Sequence, residues 1–196
     1  VGDHIFVNKF VYGLRVPFTQ TKFFEQSPAR GDVIVFMQPC TPERDFIKRV
    51  VALAGDTIEV RCNVVYVNGE PIEQELIPGQ CSYEDKLDDG PWETKACSRY
   101  RETLAGHSYE TFQPALYPET PNTPAHTDFP SLEVSFSGSA VPPSCASAPR
   151  PDSPGPAPNQ ATGALVRTRA EGEAEACAPQ LHYVVPEGHV FAMGDN

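Results

Sequence analysis

A mainly β chain is what this sequence predicts, and three observations carry the expectation. Short runs of β-branched and aromatic residues recur between turn signals. No apolar run keeps a helical period. The prolines crowd into one stretch that separates two sets of strand-like segments. Residues 32–37 (DVIVFM) read as the first strand of the set and 46–53 (FIKRVVAL) as the second. Ala54-Gly55-Asp56 turns the chain into a third, 56–60, and Val64–Val67 forms a fourth. After it, Asn68-Gly69 supplies two residues that tolerate positive φ, the requirement of a type I′ hairpin turn. Pro71 has no N–H to give to a ladder, so its strand is expected at a sheet edge. Residues 181–185 and 189–193 read as two closing strands around Pro186-Glu187-Gly188.

Between these sets the composition shifts. Twelve of the 21 prolines fall between Pro114 and Pro158, with Ser, Ala and Thr filling much of the space. Residues 118–178 therefore read as a low-complexity insertion, largely disordered or loosely extended, because they offer little apolar area to offset the ordering of the backbone. Removal of 121–175 is expected to leave the fold intact.

One residue type stands out within the strands. Lys48 lies in Asp45-Phe46-Ile47-Lys48-Arg49-Val50-Val51, where alternation puts Phe46, Lys48 and Val50 on one face and Ile47, Arg49 and Val51 on the other. One of the two cations must lie beside the apolar face. An ammonium removed from water tends to lose its proton, and a neutral lysine amine is a general base. On the strand pattern alone, a lysine that extends its head to water from a strand edge is the plainer reading.

The surrounding text changes that balance. Gly2-Asp3-His4-Ile5-Phe6-Val7-Asn8-Lys9-Phe10, Arg30-Gly31-Asp32-Val33-Ile34-Val35-Phe36, Phe46-Ile47-Lys48-Arg49-Val50-Val51-Ala52-Leu53-Ala54-Gly55-Asp56 and Gly194-Asp195-Asn196 occur in that order. The chain resembles bacterial signal peptidase I over residues 1–112 and 182–196. That resemblance implies a signal-peptidase-like antiparallel β-sheet core. It divides the chain into a first part of the catalytic core (1–75), a second-domain region (76–117), the insertion (118–178) and a return to the core (179–196). It also implies a serine endopeptidase that removes signal peptides from exported preproteins through a Ser/Lys dyad, without histidine, metal or other cofactor. Lys48 matches the family's general base, Phe46 and Ile47 match the strand that helps line the substrate groove, and Gly194, Asp195 and Asn196 match the start of the last motif. The family's nucleophilic serine precedes the first motif, and the serine that positions the lysine amine follows Asn196. Neither has a match here, so this chain is expected to be an internal fragment, inactive alone. The implied location is the outer, periplasmic side of the bacterial cytoplasmic membrane, held by an anchor that this chain does not contain.

Composition agrees with that class. A net charge of −11 supplies no positive face for phosphate, so no nucleic-acid partner is expected. No run of about 20 apolar residues is present. The histidines at 4, 107, 126, 182 and 189 show no metal-ligand spacing, and no metal site is expected. Ser27, Ser82, Ser98 and Ser108 stand in no recognisable nucleophile setting. Six cysteines form no C-x-x-C pair. Cys81 and Cys97 bracket a polar loop containing Trp92 and are the best disulfide candidates, while Cys40, Cys62, Cys145 and Cys177 are left without assigned partners. Two rival readings remain open. One is a self-cleaving repressor-type peptidase with the same dyad, though no DNA-binding segment is visible. The other is a non-catalytic β-module that binds extended peptides.

Overall fold

The computed structural model describes residues 5–8, 10–15, 22–23, 26–38, 41–85, 90–114, 128–130, 163–169 and 177–195. Among these residues there are fourteen β-strands and no helix. In chain order they are β1 (Leu14–Arg15), β2 (Lys22–Phe23), β3 (Val33–Gln38), β4 (Thr41–Leu53), β5 (Thr57–Arg61), β6 (Val64–Val67) and β7 (Glu70–Pro71). They continue with β8 (Glu73–Ile77), β9 (Ser82–Asp85), β10 (Glu93–Leu104), β11 (His107–Pro114), β12 (Ala164–Arg167), β13 (Leu181–Val184) and β14 (Val190–Met193). All their pairings are antiparallel.

Three sheets build the core, beside the short β1–β2 ladder. One has the order β14-β4-β3, the second β12-β13-β5-β6-β7, and the third β11-β10-β8 with β9 on the first half of β10. Their apolar faces meet in one cluster that takes Val51 and Ala52 from β4, Ile58 from β5, Val67 from β6, Leu104 from β10 and Tyr183 from β13. The Asn68-Gly69 turn has φ of 54° and 83°, as a type I′ turn needs, and the strand carrying Pro71 is the edge of its sheet. Asn68 does more than turn. Its Oδ1 accepts the Thr57 N–H at 2.9 Å and its Nδ2 donates to Asp56 at 2.9 Å, fixing the hairpin against the preceding turn.

The structure adds three features that the sequence reading left out. First, the two closing strands, both present, join different sheets. Val185 exchanges backbone hydrogen bonds with Gly55 and Asp56, the chain turns at 186–189, and β14 leaves to pair with β4 while β13 stays on β5. Second, the expected strands omit β8 to β11. These strands carry charge at most outward positions, paired across the ladder as Arg99–Glu110 and Arg101–Glu75, so their apolar content is low. β8 also straddles the expected boundary at residue 75, and its register partners all lie in β10.

Third, the proline-rich stretch is anchored to the core. Val60 and Phe129 exchange backbone hydrogen bonds at 2.6 and 3.0 Å where β13 no longer covers β5. The Phe129 ring packs against Tyr183 and Phe191, with centroids at 5.6 and 5.2 Å. Asp128 accepts the Cys62 N–H at 2.8 Å, and β12 pairs along β13. Cys177 is bridged to Cys62 across 115 positions. The expected disorder of the remainder of 118–178 lies outside the described residues.

Beneath these anchors sits a buried ion pair. Arg61 and Glu59 are 0% and 2% exposed, with Nε 2.9 Å from Oε1, yet the N–H is not aimed at that oxygen. Oε1 instead accepts the backbone N–H groups of Gln180 and Leu181, and Arg61 donates to the Val60 and Leu181 carbonyls. The pair stitches the chain's return to β5. A second disulfide joins Cys81 and Cys97 at a Cα–Cα distance of 4.9 Å, closing the β9–β10 hairpin at its base. Cys40 and Cys145 lie outside the described residues.

Two outcomes follow. Phe129→Ala is expected to lower unfolding stability by about 2–3 kcal/mol, since truncation of a buried Phe costs roughly 3–5 kcal/mol and this ring is partly exposed. Deletion of 121–175, which removes Phe129 and β12 together, is expected to cost at least as much, and an unchanged urea midpoint refutes both anchors. Separately, non-reducing peptide maps should recover Cys62 with Cys177 and Cys81 with Cys97. Loss of the first bridge should cost more, because the chain-entropy model gives about 3 kcal/mol for a 15-residue loop and about 4.7 kcal/mol for a 100-residue one.

Candidate active site

Lys48 sits near the middle of β4, the central strand of its sheet, directly opposite Ile34 of β3. Phe46 is opposite Phe36, so Ile34, Phe36, Phe46 and Lys48 share one face. The two rings meet edge to face at 6.2 Å, and Nζ of Lys48 lies 5.8 Å from the Phe46 centroid, within reach of the ring's negative face. Among the described residues no carboxylate forms an ion pair with Lys48. The amine therefore stands on an apolar, aromatic patch. Ile47 does not share it. It lies on the opposite face of β4, 49% exposed, with Val35 as its cross-strand partner.

The more enclosed cation is Arg49, whose side chain is 14% exposed. Its Nε and Nη2 hold the two oxygens of Asp195 at 3.0 and 2.7 Å, and Nη1 donates to the Gly31 carbonyl at 2.9 Å. The hydrogen bonds that Arg49 donates to Asp195 raise its pKa above the ordinary arginine value, so the guanidinium keeps its charge. This fork ties three motifs that are far apart in sequence: Gly31, Arg49 and Asp195. Phe112 of β11 adds a fourth, donating its N–H to the Asp195 carbonyl at 2.8 Å. Gly194 and Asp195 are thereby fixed one and two residues beyond β14, beside the Lys48 strand, while Asn196 lies outside the described residues.

The Arg30-Gly31-Asp32 turn works as a buckle. Gly31 is buried at φ 91°, and a Cβ there would fall 2.6 Å from the His107 ring, so no side chain fits. Its N–H donates to Val50 and Asp32 accepts the Val50 N–H in return. Arg30 forms an ion pair with Asp56, whose carboxylate also accepts from Leu53 N–H and Asn68. Asp32 accepts from the Ala29 N–H and, at 3.1 Å, from the Tyr12 hydroxyl, which docks the amino-terminal segment on the turn. Sequence reasoning missed these roles, although a signal was present. Gly31-Asp32, Gly55-Asp56 and Gly194-Asp195 repeat one dipeptide, and in each the aspartate receives donors from another motif.

With this geometry in place, comparison with known proteins is decisive. The family model described as signal peptidase, peptidase S26, matches residues 1–196. The chain belongs to the signal peptidase family. It is 43% identical over 111 residues to a protein of Pseudomonas aeruginosa named signal peptidase I, covering 52% of this chain and 39% of that protein. A signal peptidase I of Pseudomonas fluorescens is 40% identical over 111 residues, and one of Aquifex aeolicus 36% identical over 113. The chain spans about two fifths of the length of these relatives, 39% to 40%.

The buckle makes a pH-dependent contribution. Burial alone would push the Asp56 carboxyl up, but hydrogen bonds from Arg30, Asn68 and the Leu53 N–H outweigh it and hold its pKa below the ordinary value. Its stabilisation is thus complete above the unfolded-state pKa of about 4 and is lost as pH falls through the lower folded value. Acid unfolding of Asp56→Asn should show a smaller fall in stability below about pH 4 than the parent protein. Identical slopes refute the role.

Proposed function

We propose that the complete protein is a membrane-associated serine endopeptidase that cleaves signal peptides from exported preproteins, with Lys48 as its general base. The observation that carries this reading is the amine of Lys48 on the Phe36–Phe46 patch, on the strand whose next residue clamps the last family motif. Membership of the signal peptidase family and its likeness to proteins named signal peptidase I support it. In the proposed reaction, neutral Lys48 takes the proton of a serine hydroxyl, contributed from outside residues 1–196, as its oxygen attacks the scissile carbonyl. The protonated lysine then gives that proton to the departing amine, leaving an acyl-enzyme. Water repeats the sequence, with Lys48 accepting its proton as the ester is cleaved.

The substrate is proposed to lie extended, with the residues before the cut against the face formed by Ile34, Phe36 and Phe46. Ile47, on the other face, is assigned to a separate surface. The membrane side of the proposal draws support from Ile5, Phe6, Val7, Phe10 and Val11, a run of exposed apolar side chains in the amino-terminal segment. Among the described residues no helix is long and apolar enough to cross a membrane.

Cleavage of a preprotein by the complete protein tests the assignment. Lys48→Ala should lower turnover by about 10²–10⁴-fold, the usual worth of a general base, with the fold retained. Lys48→Arg should fail as well, because a guanidinium keeps its proton. Residues 1–196 alone should show no turnover. Near-normal activity of Lys48→Ala, or hydrolysis by the isolated 196-residue chain, overturns the reading.

A further inference from the structure

Two residues outside every family motif quoted above reach the clamp at Asp195. Glu102 of β10 is 7% exposed and stands opposite Gln74 of β8 on one side and Tyr109 of β11 on the other, a row across three strands. Its Oε1 accepts from Gln74 Nε2 and Thr111 Oγ1, both at 3.0 Å, which hold the carboxylate on the face it shares with its cross-strand neighbour Tyr109. Burial first, and the Glu102 charge second, push the Tyr109 phenol well above its ordinary pKa, so it stays neutral. The face of the Tyr109 ring lies against Arg49, with the guanidinium carbon 3.9 Å from the centroid.

That contact matters because a guanidinium forks onto a carboxylate only when its plane is fixed. Two edges of the Arg49 group are occupied by Asp195 and Gly31, and the ring of Tyr109 lies over its face. The same strand grips Asp195 a second time through the Phe112 N–H. β11 therefore holds the last motif by a side-chain route and a backbone route, although neither strand of the β10–β11 hairpin pairs with β4 or β14.

We infer that Tyr109 is a positioning residue of the peptidase: its ring sets the plane of Arg49, and Arg49 through Asp195 sets the last motif beside Lys48. This rests on the reading of Lys48 as general base. The ring touches neither base nor substrate, so its effect belongs to geometry at the reacting centre rather than to substrate affinity.

The complete protein provides the test, with preprotein cleavage and amide hydrogen exchange read in parallel. Tyr109→Leu keeps apolar bulk but has no ring face, and should lower kcat by about tenfold or more with KM within about twofold. Tyr109→Phe keeps the face and should stay within about threefold of the parent. In an Arg49→Lys background, Tyr109→Leu should add less than about twofold, because the two act through one contact. Exchange at the Phe112 amide should quicken in Tyr109→Leu, while exchange at Val60, which donates to Phe129 outside this network, stays unchanged. If Tyr109→Leu does not fold, Tyr109→Met carries the same expectations. Parental kcat and Phe112 exchange in the ring-less variant overturn the inference, as does an equal loss in Tyr109→Phe. Should the parent protein cleave no preprotein, the reading of Lys48 fails, and the exchange arm still decides whether Tyr109 holds Asp195.

Discussion

The bidentate pair between Arg49 and Asp195 is the constraint on which the arrangement of the site depends. It joins the central strand of one sheet to a segment nearly 150 positions later, and its third donor binds the carbonyl of Gly31. An exposed ion pair of this kind contributes little, about 0–1 kcal/mol. Here the guanidinium is largely enclosed, capped by an aromatic face and forked in the planar geometry that favours arginine over lysine. Its worth is geometric as much as energetic. Remove it, and among the described residues the backbone bond from the Phe112 amide is what still ties Asp195 to the core.

A division of labour follows between the two cations of β4. Alternation sends Lys48 to the aromatic face and Arg49 to the opposite one, so one strand presents a candidate base on one side and its structural support on the other. For an acidic chain of net charge −11, several cations are drawn inward: Arg49 to Asp195, Arg30 to Asp56 and Arg61 to Glu59. The first two join segments that are distant in sequence directly, and the third does so through its bonds to Gln180 and Leu181. The buried Arg61–Glu59 pair is better understood as a fixer of register than as a source of stability, since burying two charges offsets much of their attraction.

Much of the β core was legible in the sequence. Strands β3 to β6, the Asn68-Gly69 turn and the edge position of Pro71 follow from local periodicity and turn chemistry, which act over a few residues. The alternation around Lys48 also exposed the choice between two cations, though not that Arg49 would be the more enclosed. Long-range partners were illegible. Nothing local distinguishes Cys62 as the partner of Cys177, or Phe129 as an apolar plug within a proline-rich stretch. Strands β8 to β11 were hidden because their outward charges, paired across the ladder, lower the apolar content that marks a strand. Tyr109 and Glu102 drew no notice for a related reason: their significance lies in a contact between sheets, and no spacing within one strand records it.

The order in which strands join their sheets has a consequence for how the molecule is made. β4 and β5 are complete by residue 61, yet β14 and β13, which pair with them, come from residues 181–193. Until those residues have been synthesised, β4 lacks one neighbour and β5 is uncovered on one side. Contacts between such distant positions make folding slow, and a bare strand edge invites pairing with other chains. A sheet whose central strands wait more than a hundred positions for their partners is at its most vulnerable while still nascent, and whatever shelters it in the cell must act before residue 181 emerges rather than after.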